Sequence, residues 1–366
     1  MDNQQLSMLL QKVKGLEGKP RPILLHPSDH GGVYWYRLRN PMTVLASALE
    51  TKVIEEIYPI TPQIIQAIEP IGIVTSRQTD KLEHILHYKN QPWIKTNHTP
   101  FIMDIDDNVW VYNPGSPYKL AKHHKRVLEK NLGRMNRVIV STPTLAEVIR
   151  KKVNPDELVI LPNMINSFLY QPPKQPNMLN IGKKPIALWA GSPTHASDLL
   201  LVAEAIKETS KLVDWVFFGY CPPELTDYVR FLPLEDSIYK YLQAIKALAP
   251  DIAIAPLVNN IFNASKSNLK LMEMGAIGAA TIVSDTPSYA DSPSIKIPNL
   301  EDKAAHNQLW IEAIRGLAIN ASLRYDMAAR SHAYALQFNL DDPKNQQKVL
   351  DAYSPVIKAK DRAPKG

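Results

Sequence analysis

The feature that most constrains this chain is an alternation, made twice over, of short continuous apolar runs with longer helical stretches. In the first half the apolar runs are Pro22–His26, Val53–Glu56, Gly72–Ser76, Phe101–Ile105, Val138–Ser141 and Leu158–Leu161. Helical patterns lie between them at Asn40–Leu49, Thr61–Ala67, Asp80–Tyr88, Pro117–Leu132 and Pro143–Lys152. A run that is apolar at every position suits a strand buried on both faces, and helices between such strands predict a parallel sheet covered on each side. Residues Gln171–Lys184, QPPKQPNMLNIGKK, break the alternation with a proline-rich polar tract that reads as a linker. The pattern then resumes with strands at Pro185–Ala190, Trp215–Gly219, Val229–Leu232, Ile252–Pro256, Thr281–Ser284 and Ser294–Ile297. Helices are predicted at Asp198–Lys211, Ile238–Ala249 and Ser267–Gly275, and from Asp302 to Gln337. The expectation is an α/β chain of two doubly wound, Rossmann-like domains at 1–170 and 185–340, with a linker at 171–184 and a C-terminal segment at 341–366. Two such domains facing each other leave a cleft lined by the C-terminal ends of their strands.

The 366 residues are enough for each domain to bury a core of its own. The single cysteine, Cys221, excludes an intrachain disulfide and fits a reducing compartment. The N-terminal stretch reads as a short amphipathic helix rather than a signal peptide, and no apolar run reaches the ~18 residues of a membrane span. The expected location is cytoplasmic, with peripheral membrane attachment as an option. Formal net charge is +6. Residues 1–170 hold 21 Lys and Arg against 16 Asp and Glu, whereas 171–366 hold 21 against 20. Much of the basic excess falls in Lys119–Arg137, with His123 and His124 inside it. Such a cluster concentrates anionic partners, or is simply a solvated helix face.

The second half places anion-binding chemistry at predicted strand ends. Gly191-Ser192-Pro193-Thr194-His195 follows an apolar strand and precedes a helix, so its backbone N–H groups are suited to a phosphate. An ordinary βα turn capped by Ser197 or Asp198 is the other reading. Further on, a polar loop with Lys266 enters a helix near Ser267, Asn268, Leu269 and Lys270. Glu273 lies inside that helix among Leu271, Met272 and Met274, and a carboxylate in apolar surroundings needs a partner. Its two oxygens match the adjacent hydroxyls of a ribose, the alternative being a solvent-facing helical Glu.

The run from Glu273 through Gly275–Gly278 to Ile282–Asp285 resembles the signature of the retaining group-1 glycosyltransferases, which have the GT-B fold. Ala190–His195 with Asp198-Leu199 resembles the first donor-domain turn of a phage and bacterial branch of that family. Asp251–Leu257 and Pro162–Ile165 are similar to the strand before its donor loop and to the segment closing its first domain. The resemblance covers most of the chain. It implies a nucleotide-sugar donor (a UDP-, GDP- or ADP-sugar), a hydroxyl acceptor, retention of configuration and no essential metal or other cofactor. It implies that Glu273 binds the donor ribose and that the N–H groups near Ser267–Leu269 bind the diphosphate. Where the family often has a further Glu, this chain has Ser265 beside Lys266, so the usual contact to the sugar is altered and Lys266 is a candidate to contact phosphate or sugar instead.

In the first half, His26–Arg37 follows the first strand, and Gly31-Gly32 allows close backbone approach to a ligand. Trp35 and Tyr36 read as core, Arg37 and Arg39 as ligand candidates. Asp104-Ile105-Asp106-Asp107 ends the fourth strand. Its Asp-x-Asp spacing also suits a metal-bound diphosphate, as in the other large glycosyltransferase class, or plain turn formation. The catalytic candidates are Lys266, Asp107 and Arg37. The donor-binding candidates are Glu273, Gly191, Ser192, Thr194, His195, Lys266, Ser267, Asn268, Leu269, Lys270 and Gly32. The basic first half suggests an anionic acceptor, either a hydroxymethylated base in phage DNA or a lipid-linked or cell-envelope saccharide. A non-catalytic binding protein of the same fold and a sugar-nucleotide epimerase are the rival readings.

Overall fold

The computed structural model describes residues 11, 20–57, 62–77, 94–95, 98–114, 116–117, 119–175 and 183–362. The helical pattern at Asp80–Tyr88, most of the N-terminal stretch and part of the linker lie outside the described residues. The chain divides into two compact units. Unit 1 comprises 1–110, 120–162 and 343–366, and unit 2 comprises 111–119 and 163–342.

Unit 1 is built on a six-stranded parallel sheet of β1 (Ile23–His26), β2 (Val53–Glu55), β3 (Gly72–Ser76), β4 (Phe101–Ile105), β5 (Arg137–Val140) and β6 (Leu158–Ile160). Their order is β2-β1-β3-β4-β5-β6. Every residue of β1, β3 and β4 is buried, as their mainly apolar runs predict, and so are the polar His26, Thr75, Ser76 and Asp104 at or near their C-terminal ends. Helices α1 (Asn40–Ala48), α2 (Pro62–Ile68), α3 (Lys122–Leu132) and α4 (Pro143–Lys152) flank the sheet. The helix predicted at Pro117–Leu132 begins only at Lys122, because 111–119 packs with unit 2. Before α1, Tyr34–Arg39 form wide π-type turns, a geometry that re-aims side chains within a helix.

Unit 2 carries β7 (Ile186–Ala190), β8 (Asp214–Gly219), β9 (Arg230–Pro233), β10 (Ile252–Ala255), β11 (Ala280–Ser284) and β12 (Ile295–Ile297) in the order β12-β11-β10-β7-β8-β9, again all parallel. Its helices are α5 (Ala196–Leu200), α6 (Ala203–Thr209), α7 (Ile238–Leu248), α8 (Ile261–Ala264), α9 (Leu269–Ala276), α10 (Lys303–Ile319) and α11 (Ala321–Leu336). Trp189, Trp215, Phe217 and Trp310 anchor its core. The single helix predicted at Asp198–Lys211 is two. Val202 N–H bonds Leu199 O at 3.1 Å, an i to i−3 closure that stacks Leu199 over Val202, both fully buried.

The chain then returns to unit 1 as α12 (Pro343–Ala352) and α13 (Ser354–Arg362). Arg137 donates to the carbonyls of Asp351 and Ala352 at 2.8 and 2.9 Å. Val356 packs so closely on β3 that a Cβ at Gly72 would lie 2.7 Å from it. No helix among the described residues is long and apolar enough to cross a membrane.

Candidate functional site

In an open parallel sheet, ligands bind at the C-terminal strand ends where the strand order reverses. In unit 2 the chain runs from β7 outward to β8 and β9, then crosses to β10 on the other side, so the reversal lies between β7 and β10. The loops leaving these two strands meet on Asp198, which is fully buried in α5. Its Oδ1 accepts Val258 N–H at 2.8 Å and Asn263 Nδ2 at 2.7 Å. Its Oδ2 lies 2.8 Å from His195 Nδ1 and accepts Asn113 Nδ2 at 3.0 Å. Asn113, itself buried, also bonds Asn260. The carboxylate thus saturates its lone pairs and fixes the turn after β7 to the loop after β10.

The turn itself is tight. Gly191 N–H bonds Phe218 O at 2.9 Å and His195 N–H bonds Ser192 O at 3.0 Å, so these two N–H groups serve the turn and not a ligand. Ser192 and Thr194 join their hydroxyls at 2.7 Å. A Cβ on Gly191 would lie 2.8 Å from the Trp189 ring and 3.2 Å from Lys270 Nζ, so only glycine lets the ammonium approach this turn. Behind it, Gly219 has φ +94°, and a Cβ there would meet Gly191 O at 2.6 Å.

Lys270 donates to Ala190 O and lies 5.8 Å from the centre of the Trp189 ring. Burial brings its pKa down to about 8; the Glu273 carboxylate opposes this and the Lys266 ammonium adds to it. Burial likewise brings His195 down to about 4, against the pull of its bond to Asp198. The imidazole is therefore neutral at pH 7, and Nδ1–H donates to Asp198. Lys266 lies 4.5 Å from the centre of the Phe262 ring.

The predicted helix at Ser267–Gly275 is α9, which starts at Leu269 with Asn268 as its N-cap residue. The cap side chain does not close the helix. Asn268 Nδ2 bonds Tyr334 Oη at 2.6 Å instead, and Ser267 Oγ accepts Asn163 Nδ2 at 2.7 Å. The N–H groups of the first turn are thus left without a side-chain cap, beside Lys266 and Lys270. Glu273 is 5% exposed and accepts the Tyr241 hydroxyl at 3.2 Å. Burial, followed by Glu273, pushes that phenol well above its ordinary value. On the opposite face Gly275 meets α11, where a Cβ would lie 2.3 Å from Ser331 O. Ser265 is fully buried and bonds Ile261 O at 2.7 Å, closing the short α8.

The structure therefore gathers Gly191, Ser192, Thr194, His195, Lys266 and Lys270 with the start of α9. Trp189, Tyr241, Gly219 and Asn113 also build this place, and the sequence reading did not single them out. Gly219 at a strand end was the one visible signal.

In unit 1 the strand order reverses between β1 and β3, and the Pro27–Gly32 loop sits at that reversal. Ser28 N–H bonds Ser76 Oγ at 2.9 Å, and Gly31 N–H bonds Asp29 Oδ1 at 2.8 Å. Gly32, half-buried, opens the helix that follows. Arg37, read from the sequence as a ligand group, is 1% exposed. It pairs with Asp104 at 3.0 and 2.7 Å and donates to Leu161 O at 2.6 Å. The guanidinium ties β4 to the end of β6, because the π-type turns aim it inward. Asp107 lies 3.9 Å from Arg77. Burial, with the Asp107 charge adjoining, pushes Asp106 up to about 7. Tyr36 is core as expected, and Trp35 is half-buried.

Comparison with solved structures places this architecture. Sucrose-phosphate synthase from Thermosynechococcus elongatus superposes over 93% of this chain and 100% of its own, with a TM-score of 0.63 and 14% identity. HepE from Anabaena, solved with UDP-glucose, matches over 91% of this chain and 99% of its own, with a TM-score of 0.64 and 12% identity. A glycosyltransferase from Rickettsia africae matches over 92% and 98%, with a TM-score of 0.59 and 13% identity. The chain has the GT-B fold that these proteins share. No family profile and no curated protein matches its sequence.

Proposed function

We propose that this chain is a glycosyltransferase that moves a sugar from a nucleoside diphosphate donor to a hydroxyl acceptor, with unit 2 holding the donor. The observation that carries this reading is the convergence at the β7/β10 reversal. An uncapped helix N-terminus, two lysines and, one turn further along α9, a nearly buried carboxylate meet there. The N–H groups of α9 with Lys266 and Lys270 stabilise charge as it builds on the departing diphosphate. Glu273, oriented by Tyr241, takes the ribose hydroxyls. HepE, of the same fold, was solved with UDP-glucose, which makes a UDP-sugar the first donor to try.

Transfer with retention and without a divalent metal is part of the proposal, carried by the resemblance of the Glu273 segment to group-1 enzymes. Gly32 and Asp107 are assigned to the acceptor side, and Arg37 to positioning Asp104. The acceptor is anionic in this reading because residues 1–170 carry the basic excess. A hydroxymethylated base in phage DNA is favoured over a lipid-linked saccharide, and the enzyme works in the cytoplasm.

The test is thermal stability of the protein with UDP-, GDP- and ADP-sugars and their diphosphates, in EDTA and in Mn²⁺. A ligand that binds only the folded state raises the midpoint by mass action. A shift with one nucleotide class, equal in both buffers, and slow hydrolysis of that donor are expected. No shift with any donor removes the assignment. A shift without donor hydrolysis or transfer favours the non-catalytic binding protein.

A further inference from the structure

The described surface carries one charged feature that the donor site does not use. On α3, Lys122, Arg126 and Lys130 are all exposed and stand four residues apart, and exposed Arg134 continues the series just past the helix. Residues i and i+4 are neighbours about 6 Å apart along the axis, so these cations form one continuous row. Like charges at this spacing repel. On other helices, half-buried Lys207 pairs with Glu204 at 2.8 Å and exposed Lys240 with Asp236 at 3.0 Å. Lys122, Arg126 and Lys130 have no such carboxylate among the described residues. The one acid within α3, Glu129, accepts the indole N–H of Trp110 at 2.7 Å. The row also lengthens. A Cβ on Gly133 would lie 3.5 Å from Val153, which follows the C-terminus of α4, where Arg150, Lys151 and Lys152 are exposed. Glu147 and Asp156 are the acids nearest to these in sequence.

We propose that this row is a docking surface for the phosphodiester backbone of a nucleic acid. A line of cations at regular spacing complements a line of phosphates. A membrane surface is less well matched, because attachment by a basic helix also needs apolar side chains to insert. The apolar residues Leu128 and Leu132 of α3 are buried, and Ile160 is the one large exposed apolar residue of unit 1 among those described. The row is assigned to phosphates, contacts that carry no sequence information, so the surface reads charge and not sequence. It rests on the acceptor reading above, which draws on the same basic excess, and is independent of the donor site.

The experiment is fluorescence anisotropy of a short labelled DNA duplex across a salt series, with wild type and with Lys122→Gln/Arg126→Gln/Lys130→Gln. The three phosphates met by Lys122, Arg126 and Lys130 contribute about −2.7 to the slope of log affinity against log salt, roughly a 40-fold share of the loss from about 50 to about 200 mM. The triple variant is expected to flatten that slope by about three. Its thermal midpoint should be unchanged or raised, since glutamine suits a helix and removes repulsion. Its nucleotide-induced thermal shift should persist, which separates this surface from the donor site. Equal duplex binding by variant and wild type would overturn the proposal. So would tighter capture by phosphatidylserine vesicles, lost in the same variant.

Discussion

Lys270 gives the donor reading its sharpest test. Its ammonium is held against Ala190 O and above Trp189, where burial has brought its pKa from 10.5 to about 8. Between about pH 8 and 10.5 the unfolded chain holds a proton at this site that the folded chain has lost. Stability therefore rises with pH across that window, by up to about 1.4 kcal/mol per unit, and the burden is fully present below it. A diphosphate at the start of α9 reverses the balance, because its charge returns the proton to Lys270. Affinity for UDP should then be flat up to about pH 7.5 and fall by up to tenfold per unit above pH 8. Stability and affinity thus move in opposite directions over one pH range. Lys270→Met keeps the stem's packing and removes the charge. Losing a charged hydrogen bond to phosphate, about 1.5–3 kcal/mol, weakens UDP roughly ten- to 150-fold and abolishes both trends. Isothermal titration of UDP and thermal melts across the pH series supply the two readouts. A wild-type affinity that is level to pH 10, or a methionine variant that binds UDP as tightly as wild type, would refute the reasoning.

His195 should leave its own mark in acid. Its pKa of about 4 lies below the ordinary 6.5, so the stability it contributes is complete above pH 6.5 and is lost as pH falls towards 4. A His195→Gln variant should converge on wild type in thermal midpoint over that interval, and parallel curves would count against it. Glu273→Ala should weaken UDP by about the same ten- to 150-fold and inorganic diphosphate much less, only through the lost support of the Lys270 charge, measured by calorimetric titration. Equal losses for both ligands would move Glu273 from the ribose to the phosphates. Gly275→Ala places a methyl 2.3 Å from Ser331 O and must lift α9 from α11. A cost of at least about 1–3 kcal/mol is expected, read as a lower midpoint in scanning calorimetry.

Strands were the legible part of this chain, because a run such as GIVTS or FIMDI suits little else than the inside of a parallel sheet. The α9 segment was legible for a related reason: a carboxylate among Leu271, Met272 and Met274 demanded a partner, and Tyr241 is one. What escaped the sequence depends on residues far apart in the chain. Arg37 meets Asp104, 67 positions on, and Asn113 meets Asp198, 85 positions on. No local period or spacing encodes either pair. The division of the predicted helix at Asp198–Lys211 escaped for a different reason. Leu199–Val202 is a continuous apolar run, and which of its members turn inward is decided by the sheet beneath.

The return of α12 and α13 to unit 1 bears on the order in which the protein is made. The ribosome delivers the N-terminus first, at ~5–20 residues per second. Unit 2 has all its residues once Asp342 is synthesised, since its early segment 111–119 is already waiting. Unit 1 begins first yet lacks Tyr353 and Val356, both fully buried, until the last stretch of chain appears. Its β3 and Arg137 must spend most of synthesis without their covering. The half that starts earliest is thus completed last, and a nascent chain stalled before residue 343 should show a folded unit 2 beside a protease-sensitive unit 1.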